Sequence, residues 1–156
     1  MRGMDTISPR TGIYEARTFE PQRSVGRLLG RVKLAMGDAL DRELAPFDIT
    51  GAQLVILVAL ATGEADSAAS LCRGISYDPG AMTRMIDRLE QKGLIRRTDH
   101  PDDRRRVGLE LTAEGKAVYP KLRAALMAVQ NRFLCGFSKS DVRQLEILLQ
   151  RMLANA

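Results

Sequence analysis

Two groups of arginines carry the sequence's most specific chemistry. Laid out at 100° per residue, Met82, Met85, Ile86 and Leu89 fall on one side of the Pro79–Lys92 segment. Gly80, Arg84, Asp87, Arg88 and Gln91 fall on the other. A guanidinium on such a face donates two parallel hydrogen bonds, which match O6 and N7 of guanine in the major groove or clamp a phosphate. Gly80 leaves room for close approach. Ser76 and the residues from Asp78 to Thr83 offer backbone N–H groups at the positive end of the same helix, where a phosphate would be positioned without regard to sequence. The second group, Arg104, Arg105 and Arg106, sits in the polar loop from Asp99 to Arg106, beside Asp102 and Asp103, which can orient the guanidinium groups. At the tip of a hairpin such arginines suit the negative potential of a minor groove. Taken singly, each group has a plainer reading, a solvated helix face or a solubilising loop. Together they favour duplex DNA.

Other chemistries are poorly served. His100 is the only histidine, so neither a Ser-His-Asp triad nor a multi-histidine metal site can be assembled from one chain. It reads as an ordinary loop residue. Cys72 and Cys135 lie far apart, outside any Cys-x-x-Cys unit, and read as small packing residues, with no structural disulfide expected. Asp87 and Glu90, three apart on one helix, read as orienting or solvating groups, because no partner base is implied. No nucleophile, base and orienting group can be named together, so no enzyme, cofactor or metal is expected. The net charge of +5 draws polyanions, whether DNA, RNA or acidic membranes. With no Trp and 4% aromatics, a base-stacking platform for single strands is disfavoured. The longest apolar run, Leu54 to Thr62, is half the ~18 residues a membrane span requires, and residues 1–21 hold no apolar run that could serve as a secretion signal. A soluble, cytoplasmic protein is expected.

The elements that must position these arginines follow from caps and periodicity. Residues 1–22 mix Gly, Pro, Ser, Thr and Arg and read as a flexible arm, with Phe19 as a possible anchor. From Ser24, apolar residues recur at Val25, Leu28, Leu29, Val32, Met36, Leu40 and Leu44, a helix ending near Ala45-Pro46. Thr50 caps a helix from Gly51 to Thr62 that is apolar nearly all round and therefore internal, closed by Gly63. Asp66 and Ser67 open a short helix to Arg73, Gly74 turns the chain, and Asp78-Pro79 starts the next helix, which Gly93 closes. Extended segments at Ile95–Thr98 and Val107–Leu111 form a hairpin, the second alternating apolar Val107, Leu109 and Leu111 with Gly108 and Glu110. Thr112 caps a long helix striped by Val118, Leu122, Leu126, Val129 and Phe133, with a kink expected at Pro120, and Gly136 ends it. Ser138 caps a last helix with Val142, Leu145, Leu148, Leu149 and Met152 on one side. The order helix, short helix, turn, helix, hairpin is that of a winged helix-turn-helix. The expected fold is therefore mainly α with a small β-hairpin wing, the winged helix-turn-helix flanked by N- and C-terminal helices. In boundaries, this gives an arm over 1–22 and a single domain over 23–156. Within that domain, helices at 24–45 and 113–155 flank a DNA-binding lobe at 50–111.

The run Asp78-Pro79-Gly80-Ala81-Met82-Thr83-Arg84-Met85-Ile86-Asp87-Arg88-Leu89, followed by Lys92-Gly93-Leu94-Ile95, resembles the recognition helix of MarR-family regulators. Pro101-Asp102-Asp103-Arg104-Arg105-Arg106-Val107, ending in Leu111-Thr112 before Glu114-Gly115, is similar to that family's wing signature. The resemblance runs from Ser24 to the C-terminus. It implies a homodimer in which the first and last helices interleave, and these are the helices whose apolar stripes are too long for one small domain to bury. It implies a transcription regulator, a repressor binding a pseudo-palindromic operator and released by a small aromatic or phenolic acid. Ser76, Thr83, Arg84 and Arg88 would face DNA, Arg105 would enter the minor groove braced by Asp103, and Arg104 would meet phosphate. Thr83 and Arg97 are the positions matching a carboxylate site for the effector. Gln91 stands where one well-known member has a reactive cysteine, the first helix has no cysteine, and the chain has no tryptophan, so neither thiol sensing nor urate binding is expected. The rival reading is a helical small-molecule-binding or interaction module that keeps the fold without binding DNA.

Overall fold

The computed structural model describes residues 12–74, 77–99 and 107–156. The chain divides into two units, one up to Ala35 and one from Met36 onward.

In the first unit a short 3-10 turn, Pro21–Arg23, leads into α1 (Val25–Leu44), which runs on into the second unit. Ser24 Oγ accepts from Arg27 N at 3.4 Å, and the Tyr14 hydroxyl accepts from Val25 N at 2.8 Å. Two of the N–H groups that a helix start leaves unbonded are thereby satisfied. Phe19, the expected anchor of the arm, meets the Tyr14 ring edge-on at 5.0 Å. Val25, Leu28, Leu29 and Val32 of α1 are all exposed.

The second unit holds α2 (Gly51–Thr62), α3 (Ala68–Gly74), α4 (Pro79–Gln91), β1 (Ile95–Asp99), β2 (Val107–Leu111), α5 (Ala113–Phe133) and α6 (Lys139–Leu153). Each start is specified locally. Thr50 Oγ1 accepts from Gln53 N and the Gln53 side chain returns to Thr50 N, so the buried Gln53 amide oxygen is satisfied by the cap it completes. Asp78 Oδ2 accepts from Ala81 N at 2.9 Å ahead of Pro79, which needs no intrahelical N–H partner. Thr112 caps α5, and Ser138 with Asp141 forms a reciprocal box on α6. Stops at Gly63, Gly93 and Gly136 have φ of 76°, 70° and 86°, the left-handed region where a Cβ is costly. Helix α5 continues through Pro120 to Phe133.

The core centres on α2, as its all-round apolar character requires. Leu54, Ile56 and Leu57 pack with Leu44, with Leu71 of α3, with Met82, Ile86 and Leu89 of α4, with Ile95, Leu109 and Leu111 of the hairpin, and with Leu122 of α5. Each such side chain removed from water contributes about 1.5–3 kcal/mol. The strands pair antiparallel, with Ile95 opposite Leu111 and Asp99 opposite Val107. The alternation expected for β2 buries Leu109 and Leu111, whereas Val107 is 55% exposed because it lies at the far end of the hairpin from the core. Leu109 N donates to Asp66 O at 2.7 Å and Ser67 bridges Gly108, so the α2–α3 loop pairs as a short third edge on the hairpin. That pairing had no signal in the sequence.

Helix α6 buries none of its residues within the chain: Leu145, Ile147, Leu148, Met152 and Leu153 are exposed. Among the described residues no single helix is long and apolar enough to cross a membrane.

Candidate nucleic-acid interface

Helix α4 is fixed by one face and open on the other. Met82, Ile86 and Leu89 are at most 2% exposed, and they lock the helix about its own axis. Thr83, Arg84, Arg88 and Gln91 therefore lie in solvent. Neither Arg84 nor Arg88 has an ion-pair partner among the described residues, and each guanidinium carries five N–H donors. They are four residues apart, on one stripe of the helix. Thr83 Oγ1 donates to Pro79 O at 2.9 Å, an intrahelical bond that leaves its lone pairs and methyl group outward. At Gly80 an added Cβ would lie 3.1 Å from Asp78 Oδ2 and 3.7 Å from an Arg84 nitrogen. The glycine thus keeps the surface beside the Asp78 cap low.

Sequence reasoning did not foresee how α4 is joined to its neighbours. Arg97 on β1 donates to Asp87 Oδ1 at 2.6 Å and, with its other terminal nitrogen, to Glu90. One guanidinium thus ties β1 to two turns of α4. Its pKa is raised above the ordinary arginine value, first by the hydrogen bond to Asp87 and further by the charge of Glu90. The sequence held one hint: two carboxylates three apart on a helix, followed by a strand rich in arginine. Asp87 and Glu90 are orienting groups, and the group they orient is Arg97. In this conformation the Thr83–Arg97 carboxylate site expected from family resemblance has its cation already shared between two carboxylates.

The other end of α4 is held as well. Lys92 Nζ donates to the backbone carbonyl of Asp48 and pairs with Asp48 Oδ2 at 2.8 Å. Asp48 itself has φ of 54°, in the left-handed region, at the junction between α1 and α2. Across the hairpin Arg96 pairs with Glu110. Ser76, His100, Asp103, Arg104 and Arg105 lie outside the described residues. Cys72 is half-buried, Cys135 is exposed, and both are free thiols. Among the described residues no cluster of His, Cys, Asp or Glu could hold a metal ion.

This arrangement can be set beside known proteins. Residues 49–107, from the end of the α1–α2 junction to the start of β2, match the sequence profile of the MarR family. The chain is 32% identical over 130 residues to the multiple antibiotic resistance protein MarR of Escherichia coli (strain K12), covering 83% of this chain and 90% of that one. It is 30% identical to the HTH-type transcriptional repressor MdtR of Bacillus subtilis (strain 168), over 79% of this chain and 77% of that protein. A cysteine-to-serine mutant of E. coli MarR, crystallised with operator DNA, superposes with a TM-score of 0.74 at 32% identity, over 82% of this chain and 92% of that one. A MarR-family transcriptional regulator from a Rhodococcus species superposes with a TM-score of 0.75 at 26% identity, again over 82% and 92% of the two chains. In sequence over most of its length, and in a helical fold carrying a two-stranded wing, this chain belongs to the MarR family of winged helix-turn-helix transcriptional regulators.

Proposed function

We propose that the protein is a sequence-specific DNA-binding repressor that acts as a homodimer. The observation that carries this reading is α4: anchored in the core by Met82, Ile86 and Leu89, it exposes Arg84 and Arg88 with no ion-pair partner among the described residues. A related chain of the same fold has been crystallised with operator DNA. Thr83, Arg84 and Arg88 would read the major groove, with Ser76 placing the helix start on a phosphate. Arg105, braced by Asp103, would enter the flanking minor groove, and Arg104 would meet the backbone. Gly80 permits the close approach.

A second copy is the occupant that best suits the apolar surface left over. The stripe Val25, Leu28, Leu29 and Val32 on α1, and Leu145, Ile147, Leu148 and Met152 on α6, are exposed in the single chain. Patches of this kind on a monomer mark an interface. The segments 24–45 and 113–155 would then form the dimer seam and 50–111 the DNA-binding lobe, with residues 1–22 as an arm. Two α4 helices would enter successive major grooves of a pseudo-palindrome, with half-site centres about one helical turn apart. Bound there, the dimer would block polymerase. A small aromatic effector lodged between seam and lobe would release it by favouring a dimer with mis-spaced helices, to the extent that it prefers that state. An acid at Thr83 and Arg97 would first have to displace Asp87 and Glu90 from the guanidinium. No catalytic role is assigned, and the cytoplasm is the compartment this reading requires.

Selection from a pool of random duplexes, with sedimentation equilibrium of the protein, tests the proposal. The expected result is an inverted repeat of two short half-sites bound by a species of twice the chain mass. A stable monomer that enriches no sequence would favour the interaction-module reading instead.

A further inference from the structure

A half-open cavity of about 260 Å³ lies where α1, α2, α3 and α5 meet, lined by Leu40, Val55, Val58, Leu71 and Leu126 with Glu64 at its rim. An apolar cavity of ~150 Å³ holds a benzene ring, so this one has room for a molecule of one or two rings. Two polar side chains touch it, those of Glu64 and Ser70. The Ser70 hydroxyl is already committed, donating to Asp66 and Ser67 while accepting from the N–H groups of both. Glu64 is exposed and has no ion-pair partner among the described residues. No lysine, arginine or histidine is among the described lining residues.

We propose that this cavity binds an apolar organic cation, its ring system among the leucines and valines and its ammonium group at the rim against Glu64. This proposal rests on the effector reading above and replaces the acid that family resemblance suggests with a ligand of opposite charge. Burying the ammonium group deep in the cavity would cost more than its pairing returns, whereas at the rim it stays hydrated and still meets the carboxylate. An acid in the same pose would set like charges together. The walls also explain why filling the site would matter. Leu71 and Gly74 belong to α3, the helix that precedes α4, while Leu40 and Leu126 belong to α1 and α5. A ligand between them bears on the placement of the reading helix against the long helices.

The test uses three probes of equal shape, 1-naphthylmethylamine, 1-naphthalenemethanol and 1-naphthoate, titrated calorimetrically at pH 7 into the full chain. Glu64→Gln and Val55→Phe variants are titrated in parallel. Exposed ion pairs contribute modestly, so the amine is expected to bind about three- to tenfold tighter than the acid. Glu64→Gln should erase that preference without altering the alcohol, and Val55→Phe, at an exposed position on the cavity wall, should weaken all three. If the acid binds as tightly as the amine, or if Glu64→Gln leaves the ratio unchanged, the cation assignment is overturned while the cavity survives. If no probe binds, or if Val55→Phe changes nothing, the cavity is not the site. If the amine binds as predicted but, added to the protein–operator complex, leaves its fluorescence anisotropy unchanged, the cation site stands and the effector reading fails.

Discussion

Gly115→Ala is the substitution for which the structure gives the sharpest number. Gly115 is in the first turn of α5, where a Cβ built on its backbone would lie 2.0 Å from Leu94 O and 3.0 Å from Leu94 C. These are backbone atoms and cannot swing aside, so either β1 or α5 must move by more than ~1 Å to restore van der Waals contact. The Leu94 carbonyl also accepts from Thr112 N at 3.1 Å, and Thr112 Oγ1 caps α5 at Gly115 N while donating to Gly93 O at 2.6 Å. Separation therefore disturbs the cap as well as the packing. Overpacking of this kind costs about 1–3 kcal/mol and a weakened N-cap about 1, against roughly 0.5–1 kcal/mol gained from the better helix former. The net loss should be about 1–3 kcal/mol, a fall in Tm of about 3–10 °C for a chain of this size at fixed protein concentration. Gly37→Ala in α1, where an added Cβ meets nothing, is the control and should raise stability slightly. Thermal denaturation of the two variants beside the parent decides the matter. A Gly115→Ala protein as stable as the parent would refute the close packing of α5 on the wing strand and the reasoning built on it.

Other consequences can be checked in the same way. Met82→Ala, at a side chain fully excluded from solvent, should cost about 2–5 kcal/mol in urea denaturation, because it empties the core beneath α4. Asp78→Ala should cost about 1 kcal/mol through loss of the α4 cap. Arg97→Ala pairs with half-exposed partners and should cost less than ~1 kcal/mol in stability, yet it should weaken operator binding in fluorescence anisotropy by freeing the wing from α4. The Ser138 hydroxyl and backbone N–H hold the Asp141 carboxyl below the ordinary carboxylate range. A depressed folded-state pKa contributes stability that is complete above the unfolded value near ~4 and is lost as pH falls through the folded value. Circular dichroism in acid should therefore show α6 weakening only below about pH 4, and Asp141→Asn should remove that dependence.

The elements that position α4 were legible because their signals are local. Thr50, Asp78, Thr112 and Ser138 each cap a helix through bonds to residues three positions on, and Gly63, Gly93 and Gly136 end helices by backbone conformation. The two faces of α4 follow from the 3.6-residue period alone, and they place Arg84 and Arg88 outward. What escaped depends on distant residues meeting. The pairing of Arg97 with Asp87 and Glu90 escaped because the partners are on another element, and no periodicity couples a strand to a helix seven to ten positions earlier. The pairing of Lys92 with Asp48 spans 44 positions, and the bond from Leu109 N to Asp66 O joins a strand to a loop read only as a helix start. The cavity by Glu64 arises where four helices fail to close, a property of packing that composition cannot reveal.

The central claim is that α4 delivers arginines to DNA, and a salt titration of DNA affinity tests it most directly. The parent, Arg84→Ala and Arg84→Ala/Arg88→Ala proteins would be measured on a selected operator and on random duplex from low to high salt. Loss of Arg84 should cost about 1–3 kcal/mol on the operator and less on random duplex, and loss of both arginines should cost more on the operator still while leaving the salt slope, set by the phosphate contacts, nearly as in the parent. A double variant that keeps the parent's operator affinity and its preference for operator over random duplex would contradict the account.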